Sequence, residues 1–371
     1  MHVLVTGSEG FIGKNLVITL EKIPGYKVST FNRDDDLEKI DSKIVGIDTI
    51  IHLAGENRPK LKKEFEIGNY QLTKLICDTV KKSGKIIPII FTSSTQAEEN
   101  NPYGKSKLAA ENVLKDLQKN NKNPVIIYRL PGVFGKWSKP NYNSVVATFC
   151  FNIANKLPIK VNDPKKTITL VYIDDVINSF LSYLEGSLTK EKIGHVYPEY
   201  SISLENLANQ IKQFADSRNT LVTDKVGQGL KRALYSTYLS FLPPEKFIYS
   251  IPFFPDDRGM FAEVLKTKDS GQISVFTAFP GITRGEHYHH SKSEKFLVIH
   301  GKAMFRFRNL ITNKKYEILT SSKKLQIVES IPGWVHDITN IGDHEMIVML
   351  WANEIFNRDE PDTIAGDVED E

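Results

Sequence analysis

The chain has 371 residues, which exceeds the usual length of a single domain and therefore predicts two domains. Hydrophobic residues make up 40% and charged residues 25%, as in ordinary globular proteins, and a net charge of +3 does not indicate a nucleic-acid partner. The first residues lack the basic and apolar regions of a signal peptide, and no uncharged apolar run is long enough to cross a bilayer. We therefore expect a cytoplasmic protein without membrane insertion.

The first predicted element is a short apolar strand at residues 2–6, followed by a glycine-rich turn and an amphipathic helix. The turn reads Gly7-Ser-Glu-Gly-Phe-Ile-Gly13. Unpaired N–H groups and the helix dipole favour a pyrophosphate at such a helix start, so the pattern predicts a dinucleotide-binding turn. The residues expected to contact the cofactor are Gly7, Gly10, Phe11, Ile12 and Gly13.

The second predicted strand ends at Asn32-Arg33, where a fold that prefers NAD commonly has an acidic residue for the ribose hydroxyls. An arginine suits a 2′-phosphate instead, so the sequence favours NADP. The alternative is that Arg33 only pairs at the surface with one of the three aspartates that follow it, Asp34, Asp35 and Asp36.

A tyrosine and a lysine lie four residues apart in Asn101-Pro-Tyr-Gly-Lys-Ser-Lys107, at the start of a predicted helix. Asn101 is a good cap and Pro102 suits the first turn. The spacing puts Tyr103 and Lys107 on one helix face, where the ammonium is expected to lower the pKa of the phenol. Just upstream, an apolar strand ends in Phe91-Thr-Ser-Ser94 and offers a hydroxyl.

About the first two thirds of the chain resembles the extended short-chain dehydrogenase/reductase family. The resemblance rests on three features in this order: the glycine-rich turn, the strand that ends in serine, and the helix that carries the Tyr-Lys pair. The resemblance implies an α/β fold with a Rossmann-type doubly wound parallel sheet. It also implies Ser94, Tyr103 and Lys107 as catalytic residues, with Ser93 as an alternative to Ser94, and Lys107 as a ligand of the nicotinamide ribose. The His52-Leu-Ala segment resembles the family strand that flanks the cofactor. The resemblance therefore implies that Leu53 and Ala54 contact the cofactor.

The segment from Lys136 to Phe151 falls where this family holds its substrate, which the resemblance implies to be a nucleotide sugar. Lys136, Lys139 and Asn143 suit a diphosphate or sugar hydroxyls, but a basic solvated loop is the alternative. His52 is assigned no chemistry. Asn69 falls where the family has a structural asparagine, although a helix-surface position is equally compatible.

From about residue 253 the pattern changes to short alternating segments separated by Gly, Asn and Pro, which predicts an antiparallel β sandwich or jelly roll. The stretch 227–244 ends in two prolines and reads as a linker. We therefore predict a cofactor-binding domain at residues 1–245 and a second, metal-binding domain at residues 250–371.

Five of the nine histidines lie within a stretch of fifty residues in this second part, at positions 287, 289, 290, 300 and 336. Gly285-Glu-His-Tyr-His-His-Ser-Lys-Ser-Glu294 and Gly333-Trp-Val-His336 resemble the two cupin motifs. Period two puts His287 and His289 on one strand face, and the resemblance implies a metal held by His287, His289, Glu294 and His336. Ligand type suits Zn, Fe, Mn or Ni, with zinc as our choice. A metal-free sugar-binding cupin is the alternative.

Residues 256–263 resemble the opening of the deoxysugar epimerase branch of cupins. Such a cupin fused to a reductase is similar to the bifunctional enzymes of capsular polysaccharide synthesis. The resemblance implies that the cupin inverts C3 of UDP-2-acetamido-2,6-dideoxy-4-hexulose, with His290 or Lys295 as candidate base, and that the reductase reduces C4 with NADPH. It also suggests a homodimer. The alternatives are a redox-neutral NAD-dependent 4-epimerase with a structural cupin, and a non-catalytic nucleotide-sugar sensor.

Overall fold

A computed structural model describes residues 1–186, 193–251, 253–256, 259–262, 265–267, 271–354 and 359–370. Its contacts group into two compact units, which we call the N-terminal unit and the C-terminal unit. The N-terminal unit comprises Met1–Phe134, Tyr142–Ser144 and Ile168–Ser201, and the C-terminal unit comprises Gly135–Asn141, Val145–Thr167 and Ile202–Glu371. Among the described residues, no helix is both long and apolar enough to cross a membrane.

The strands are β1 (His2–Thr6), β2 (Lys27–Phe31), β3 (Thr49–His52), β4 (Ile89–Ser94), β5 (Val125–Leu130), β6 (Gly132–Phe134), β7 (Thr167–Tyr172), β8 (Ile193–Gly194), β9 (Tyr200–Ser203), β10 (Val222–Thr223), β11 (Ile248–Ser250), β12 (Phe253–Asp256), β13 (Gly259–Ala262), β14 (Lys266–Thr267), β15 (Gln272–Ala278), β16 (Thr283–Tyr288), β17 (Glu294–His300), β18 (Lys302–Asn309), β19 (Lys315–Ser321), β20 (Gln326–Ser330), β21 (Trp334–Asn340), β22 (Met346–Ala352) and β23 (Ile364–Ala365).

The α-helices are α1 (Phe11–Lys22), α2 (Ile40–Ile44), α3 (Lys63–Phe65), α4 (Leu72–Ser83), α5 (Pro102–Asn121), α6 (Val145–Ala154), α7 (Ile173–Leu184), α8 (Leu204–Thr220) and α9 (Gly229–Leu239). A π-helical segment, Glu66–Gln71, joins α3 to α4. Short 3-10 turns lie at Leu37–Lys39, Thr95–Glu98 and Pro244–Lys246.

The N-terminal unit is built on a six-stranded sheet in the order β2-β1-β3-β4-β5-β8, in which all neighbouring strands are parallel. This confirms the predicted parallel sheet. The chain leaves β1 toward β2 on one side and returns to β3 on the other, so the order reverses at β1, and ligands of such sheets bind at the carboxyl ends of the strands near this point. Strands β1, β3, β4 and β5 carry buried Val, Ile and Leu residues at adjacent positions, as expected for strands covered on both sides.

The C-terminal unit contains two five-stranded sheets, β11-β20-β17-β22-β15 and β19-β18-β21-β16-β23, whose strands pair in an antiparallel manner. This agrees with the antiparallel architecture expected from the alternating pattern. Helices α8 and α9 group with these sheets by contact, although they lie within the predicted domain 1–245. Of the segment 256–263 that resembles the epimerase branch of cupins, residues 257, 258 and 263 lie outside the described residues.

Candidate active sites

The glycine-rich turn between β1 and α1 has no room for side chains at its first and last glycine. Gly7 has φ +68°, and a Cβ there would lie 2.8 Å from the main chain of Ala54. A Cβ at Gly13 would come within 2.2 Å of the carbonyl oxygen of Gly7. Gly10 caps α1 without any side-chain acceptor. The start of α1, at the carboxyl edge of the sheet, therefore has no side-chain cap of its own, which suits a pyrophosphate.

The Arg33 side chain lies just beyond β2 and is 81% exposed. Its guanidinium donates to Glu56 at 2.5 Å, and Glu56, which is largely buried, also accepts the main-chain N–H groups of Asn57 and Arg58. The ion pair therefore involves Glu56, and not the aspartates that follow Arg33 in sequence. A 2′-phosphate would have to compete with this carboxylate for the guanidinium.

The predicted acid Tyr103 lies in the first turn of α5, which begins as the sequence indicates. Asn101 accepts from the N–H of Gly104 at 2.8 Å and Pro102 is the first helical residue. The hydroxyl of Ser94, the last residue of β4, lies near enough to Tyr103 to stabilise its phenolate. Burial raises the pKa of Tyr103, and the Ser94 hydroxyl only partly opposes this effect. The predicted lowering of the Tyr103 pKa is therefore wrong, because desolvation of the phenolate is the larger effect.

Lys107 lies one turn further along α5 and is buried. Its ammonium donates to the carbonyl oxygen of Thr92 at 2.9 Å and lies 5.0 Å from the ring centre of Phe91. Burial lowers the pKa of Lys107 to about 8, and the charge of Glu111 partly offsets that shift. A Cβ on Gly55 would come within 3.1 Å of the ammonium. The charge thus lies against the loop after β3, beside the cofactor turn.

The structure separates the two candidate serines. Ser93 points away from Tyr103 and donates to Glu111 at 2.7 Å, and Glu111 also binds the guanidinium of Arg129. Ser94 is the hydroxyl that reaches Tyr103. Adjacent residues of a strand face opposite sides, so only one of the two can serve the site.

His52 and Asn69 are both buried and act as structural links. The two ring nitrogens of His52 bond the hydroxyls of Thr6 and Thr73, and burial lowers the pKa of His52 to about 3, so the ring is neutral. The Asn69 side chain bonds the main chain of Glu56 in both directions, which excludes the helix-surface alternative. In the C-terminal unit, Lys136 is 1% exposed, so it does not belong to a solvated loop.

The four predicted metal ligands converge in the C-terminal unit. The candidate ligand atoms of His287, His289, Glu294 and His336 lie within 4.8 Å of one another. His287 and His289 come from β16 and the turn after it, Glu294 begins β17, and His336 lies on β21. Strand β16 pairs with β21 so that His287 is directly opposite His336. The register of β16 with β21 therefore brings two of the histidines together, and Glu294 joins them from the other sheet.

Hydrogen bonds fix which nitrogens face the centre of this cluster. His289 Nδ1 donates to the carbonyl oxygen of Asp362 at 2.6 Å, because a carbonyl can only accept. His287 Nδ1 likewise donates to the carbonyl oxygen of Gly285 at 2.8 Å. Their Nε2 atoms are thus unprotonated in the neutral rings. Within the described chain, both ring nitrogens of buried His336 lack a hydrogen-bond partner.

The charge balance of the cluster fits a bound cation. The lone pair of His289 Nε2 faces a carboxylate oxygen of Glu294 at 2.9 Å, and His336 Nε2 lies 3.4 Å from the same oxygen. Burial would raise the pKa of Glu294, but the close contacts with His289 and His336 hold that pKa well below its usual range. Three imidazole nitrogens and one carboxylate form a common set for a divalent transition metal.

A cavity of about 300 Å³ opens beside the cluster, between the two sheets of the C-terminal unit. Its ligand-facing end includes His287, Glu294 and His336, and Arg284 and Asp337 add charge to its wall. The apolar lining residues are Phe276, Phe296, Phe305, Ile338 and Leu350. Its volume is at the lower end of the range for small-molecule sites.

Neither candidate base for the second site lines this cavity. Lys295 follows Glu294 on β17 and therefore points to the opposite face, where it donates to Tyr249 and Glu329. Burial would lower the pKa of Lys295, but Glu329 outweighs it and raises the pKa far above the usual value. Lys295 is thus a permanent cation and the prediction of a base role is wrong for it. The ring of His290 packs edge-on against Tyr288, 5.5 Å away between centres.

Sequence reasoning missed Asp362, which contacts the turn between two of the ligands. Its carboxylate accepts the main-chain N–H groups of His290, Ser291 and Lys292. The residue lies 73 positions from His289, in a segment without a recognisable motif, so the sequence offered no signal for it.

Comparison with known proteins places both units in described families. Residues 3–197 match the NAD dependent epimerase/dehydratase family and residues 254–364 match the polysaccharide biosynthesis C-terminal domain. The UDP-2-acetamido-2,6-beta-L-arabino-hexul-4-ose reductase of Pseudomonas aeruginosa is 54% identical over 368 residues, which cover 99% of each chain. The crystal structure of the capsular polysaccharide assembling protein CapF from Staphylococcus aureus is 39% identical, with a TM-score of 0.68 over 99% of this chain and 100% of that one.

The chain belongs to the CapF group of the NAD dependent epimerase/dehydratase family. This membership confirms the family predicted from the sequence and the prediction that the chain is an enzyme, and it implies a nicotinamide cofactor for the N-terminal unit. The UDP-glucuronic acid 4-epimerase from Bacillus cereus in complex with NAD, at 21% identity, a TM-score of 0.52 and coverage of 58% of this chain and 84% of that one, shares the fold of the first part.

Proposed function

We propose that the chain is a bifunctional nucleotide-sugar enzyme of capsule or O-antigen biosynthesis. Its C-terminal unit, a cupin jelly roll, inverts C3 of UDP-2-acetamido-2,6-dideoxy-4-hexulose, and its N-terminal unit reduces the C4 ketone with NADPH. The product is a precursor of UDP-N-acetyl-L-fucosamine. Identity of 54% to the Pseudomonas reductase over both whole chains supports this substrate class. The observation that carries the second activity is the four-ligand cluster, three of whose members line a cavity.

Reduction of a ketone requires a hydride for carbon and a proton for oxygen. The nicotinamide, held by the glycine turn, Leu53, Ala54 and Lys107, supplies the hydride when it is bound. The raised pKa of Tyr103 keeps the phenol protonated at neutral pH, so it can donate its proton to the alkoxide that develops at C4. The hydroxyl of Ser94 lies beside Tyr103 and would stabilise the same oxygen.

The preference for NADPH rests on Arg33. A guanidinium grips a phosphate through charge-assisted bonds, and this one already lies beyond β2 on the cofactor side of the sheet. Glu56 positions the guanidinium in the absence of cofactor, and the 2′-phosphate would replace Glu56 as its partner. In an NAD-preferring site a carboxylate would face the ribose hydroxyls directly.

In the C-terminal unit, His287, His289, Glu294 and His336 would hold one divalent metal, which we take to be zinc. The metal would supply Lewis-acid polarisation of the substrate carbonyl. The protein itself provides a cavity with several apolar lining residues and an Arg284 side chain at its wall for an anionic group of the substrate. The identity of the base that removes the C3 proton is not assigned, since Lys295 faces away.

The order of the two reactions follows from carbonyl chemistry. The C3 proton is acidic only while C4 is a ketone, because the negative charge left by its removal is then delocalised onto the C4 oxygen. Reduction ends that acidity. Epimerisation must therefore precede reduction.

Deuterium labelling tests this division of labour. In D2O, Tyr103→Phe should exchange the C3 proton without consuming NADPH, as shown by NMR and mass spectrometry of the sugar. A His287→Ala His289→Ala double variant should oxidise NADPH if the reductase accepts the unepimerised ketosugar, and it should leave C3 uninverted and undeuterated. Deuterium entering C3 in the double variant but not in Tyr103→Phe would show the assignment to be reversed.

Stoichiometric consumption of NADPH separates this proposal from its two rivals. A redox-neutral 4-epimerase regenerates its cofactor in each turnover and a sensor consumes none. The ordered Ser94–Tyr103 pair speaks against a sensor. The cytoplasmic location and the homodimer stay predictions.

A further inference from the structure

Asp362 concentrates more hydrogen bonds on the metal-ligand turn than any other side chain described above. Its two carboxylate oxygens accept from the N–H of His290 at 2.8 Å, the N–H of Ser291 at 2.7 Å, the hydroxyl of Ser291 at 2.9 Å and the N–H of Lys292 at 2.7 Å. The side chain is only 14% exposed. Three successive N–H groups that converge on one acceptor form an anion-binding concavity, which here is filled by the protein's own carboxylate.

The turn that Asp362 holds joins two members of the cluster. His289 precedes it and Glu294 follows it two residues after Lys292. The main chain of Asp362 adds a further bond, because its carbonyl oxygen accepts from His289 Nδ1 at 2.6 Å. One residue thus fixes both the path of the turn and the ring orientation of a ligand.

We propose that Asp362 is a positioning residue for the metal centre: it locks the turn at residues 290–292 and aims His289 Nε2 at the cluster. This inference rests on the proposed metal site and adds to it a residue that lies outside the ligand set. Hydrogen-bond partners of metal ligands typically contribute ten- to hundredfold in metal affinity. Asn at this position keeps the shape but presents N–H groups to N–H donors, so it should lose much of the effect.

Helix α9 also contacts this turn, and its Arg232 lies 3.8 Å from the carboxylate of Asp362. Arg232 donates to the hydroxyl of Ser291 and lies 3.0 Å from the carboxylate of Glu354. Ser236 donates to the carbonyl oxygen of Ser291 at 2.5 Å. The turn is therefore held between α9 and the C-terminal segment at 359–363, and Asp362 is the anionic side of this clamp. A surface aspartate does not make these contacts, so substituting one is a suitable control for substituting Asp362.

Cobalt binding tests the proposal without relying on enzyme activity. Full-length wild type, Asp362→Asn and the control Asp343→Asn would be stripped of metal and titrated with Co²⁺, following the ligand-field absorption, and then with Zn²⁺ against a chromophoric chelator. Asp343 is 91% exposed, so the control removes the same charge from the surface of the same unit. We expect Asp362→Asn to bind both metals roughly ten- to hundredfold more weakly and to show an altered cobalt spectrum, with the control unchanged.

The outcomes distinguish this inference from the proposed metal site. A wild type that binds no cobalt would overturn the metal centre itself. Wild-type affinity and spectrum in a folded Asp362→Asn would overturn only the positioning role. Should that variant not fold, hydrogen exchange of the metal-free wild type decides: the amides of residues 290–292 should be protected, and free exchange there would refute the clamp.

Discussion

The two candidate sites differ in how far the protein alone satisfies them. In the N-terminal unit the candidate catalytic and structural side chains have protein neighbours: Ser94 lies beside Tyr103, Lys107 donates to Thr92, and both nitrogens of His52 bond hydroxyls. In the C-terminal unit, the lone pair of His289 Nε2 and the Nε2 atom of His336 face a carboxylate at close range. The side chains of the first site are held in place by the protein itself, without a bound ligand. In the second site, hydrogen-bond acceptors face one another, and this arrangement is stable only when a cation or bound protons lie between them.

The topology of each unit accounts for this difference. A parallel sheet delivers loop residues to its carboxyl edge, where hydroxyls and N–H groups remain in reach of water and of each other. An antiparallel sandwich turns alternate side chains inward, so His287, Glu294 and His336 meet between the sheets. Imidazole and carboxylate groups in such a place are costly unless a charge compensates them. The comparison predicts that the C-terminal unit depends on its ligand more strongly than the N-terminal unit.

The largest expected effect is on metal content. Purified protein should carry about one transition metal per chain, and His289→Ala should lose it, because one of four ligands disappears together with its bond to Asp362. Elemental analysis measures this directly. His300→Ala is the matched control, since His300 lies exposed at the end of β17. Full metal occupancy in His289→Ala would remove His289 from the ligand set and weaken the contrast between the units.

Tyr103→Phe should have the next largest effect, confined to the N-terminal unit. Loss of a positioned proton donor should lower ketosugar reduction by roughly a hundredfold or more while NADPH binding stays nearly intact. Steady-state NADPH oxidation and fluorescence titration of the cofactor measure the two quantities. Tyr26→Phe, before β2, is the control. Near-normal reduction by Tyr103→Phe would end its assignment as the acid.

A smaller effect is expected at Arg33. Arg33→Ala should weaken NADPH binding by roughly ten- to thirtyfold, the value of a charge-assisted contact, and should change NADH binding little. Dissociation constants for both cofactors, measured in parallel on wild type and variant, give the change in the preference for NADPH over NADH. An equal loss of affinity for the two cofactors would mean that Arg33 only forms a surface ion pair with Glu56.

The sequence predicted what depends on local pattern. The glycine turn, the cap at Asn101 and the start of α5 follow from neighbouring residues. The strand that carries His287 follows from the alternating pattern, although His289 lies just beyond its last residue, Tyr288. The same reasoning could place Ser94 near Tyr103 only through the resemblance to a family. These features involve short spacings, for which backbone geometry is the main constraint.

Features set by distant residues were not predictable in this way. The raised pKa of Tyr103 comes from burial, which no i,i+4 spacing reveals. The partner that disqualifies Lys295 as a base is Glu329, 34 positions away, and the clamp at Asp362 is more distant still. The grouping of α8 and α9 with the C-terminal sheets is likewise a property of packing.

The smallest expected effect distinguishes two neighbouring serines and tests whether the N-terminal site is as complete as proposed. Ser94→Ala removes one hydroxyl from Tyr103 and from the reacting oxygen, and a neutral hydrogen bond contributes about 0.5–1.5 kcal/mol, so reduction should fall by roughly two- to tenfold. Ser93→Ala should leave reduction unchanged, because that hydroxyl serves Glu111.

The cost of Ser93→Ala should appear in stability instead. Glu111 is buried and would lose one of its donors while keeping Arg129, so we expect the free energy of unfolding to fall by about 1–2 kcal/mol. Denaturant unfolding and NADPH oxidation, measured on both variants, give two quantities for each serine. Reduction lost in Ser93→Ala and retained in Ser94→Ala would exchange their roles. The hydroxyl that activates the carbonyl oxygen would then be the one now bonded to Glu111, and the N-terminal site would have to rearrange when its ligands bind.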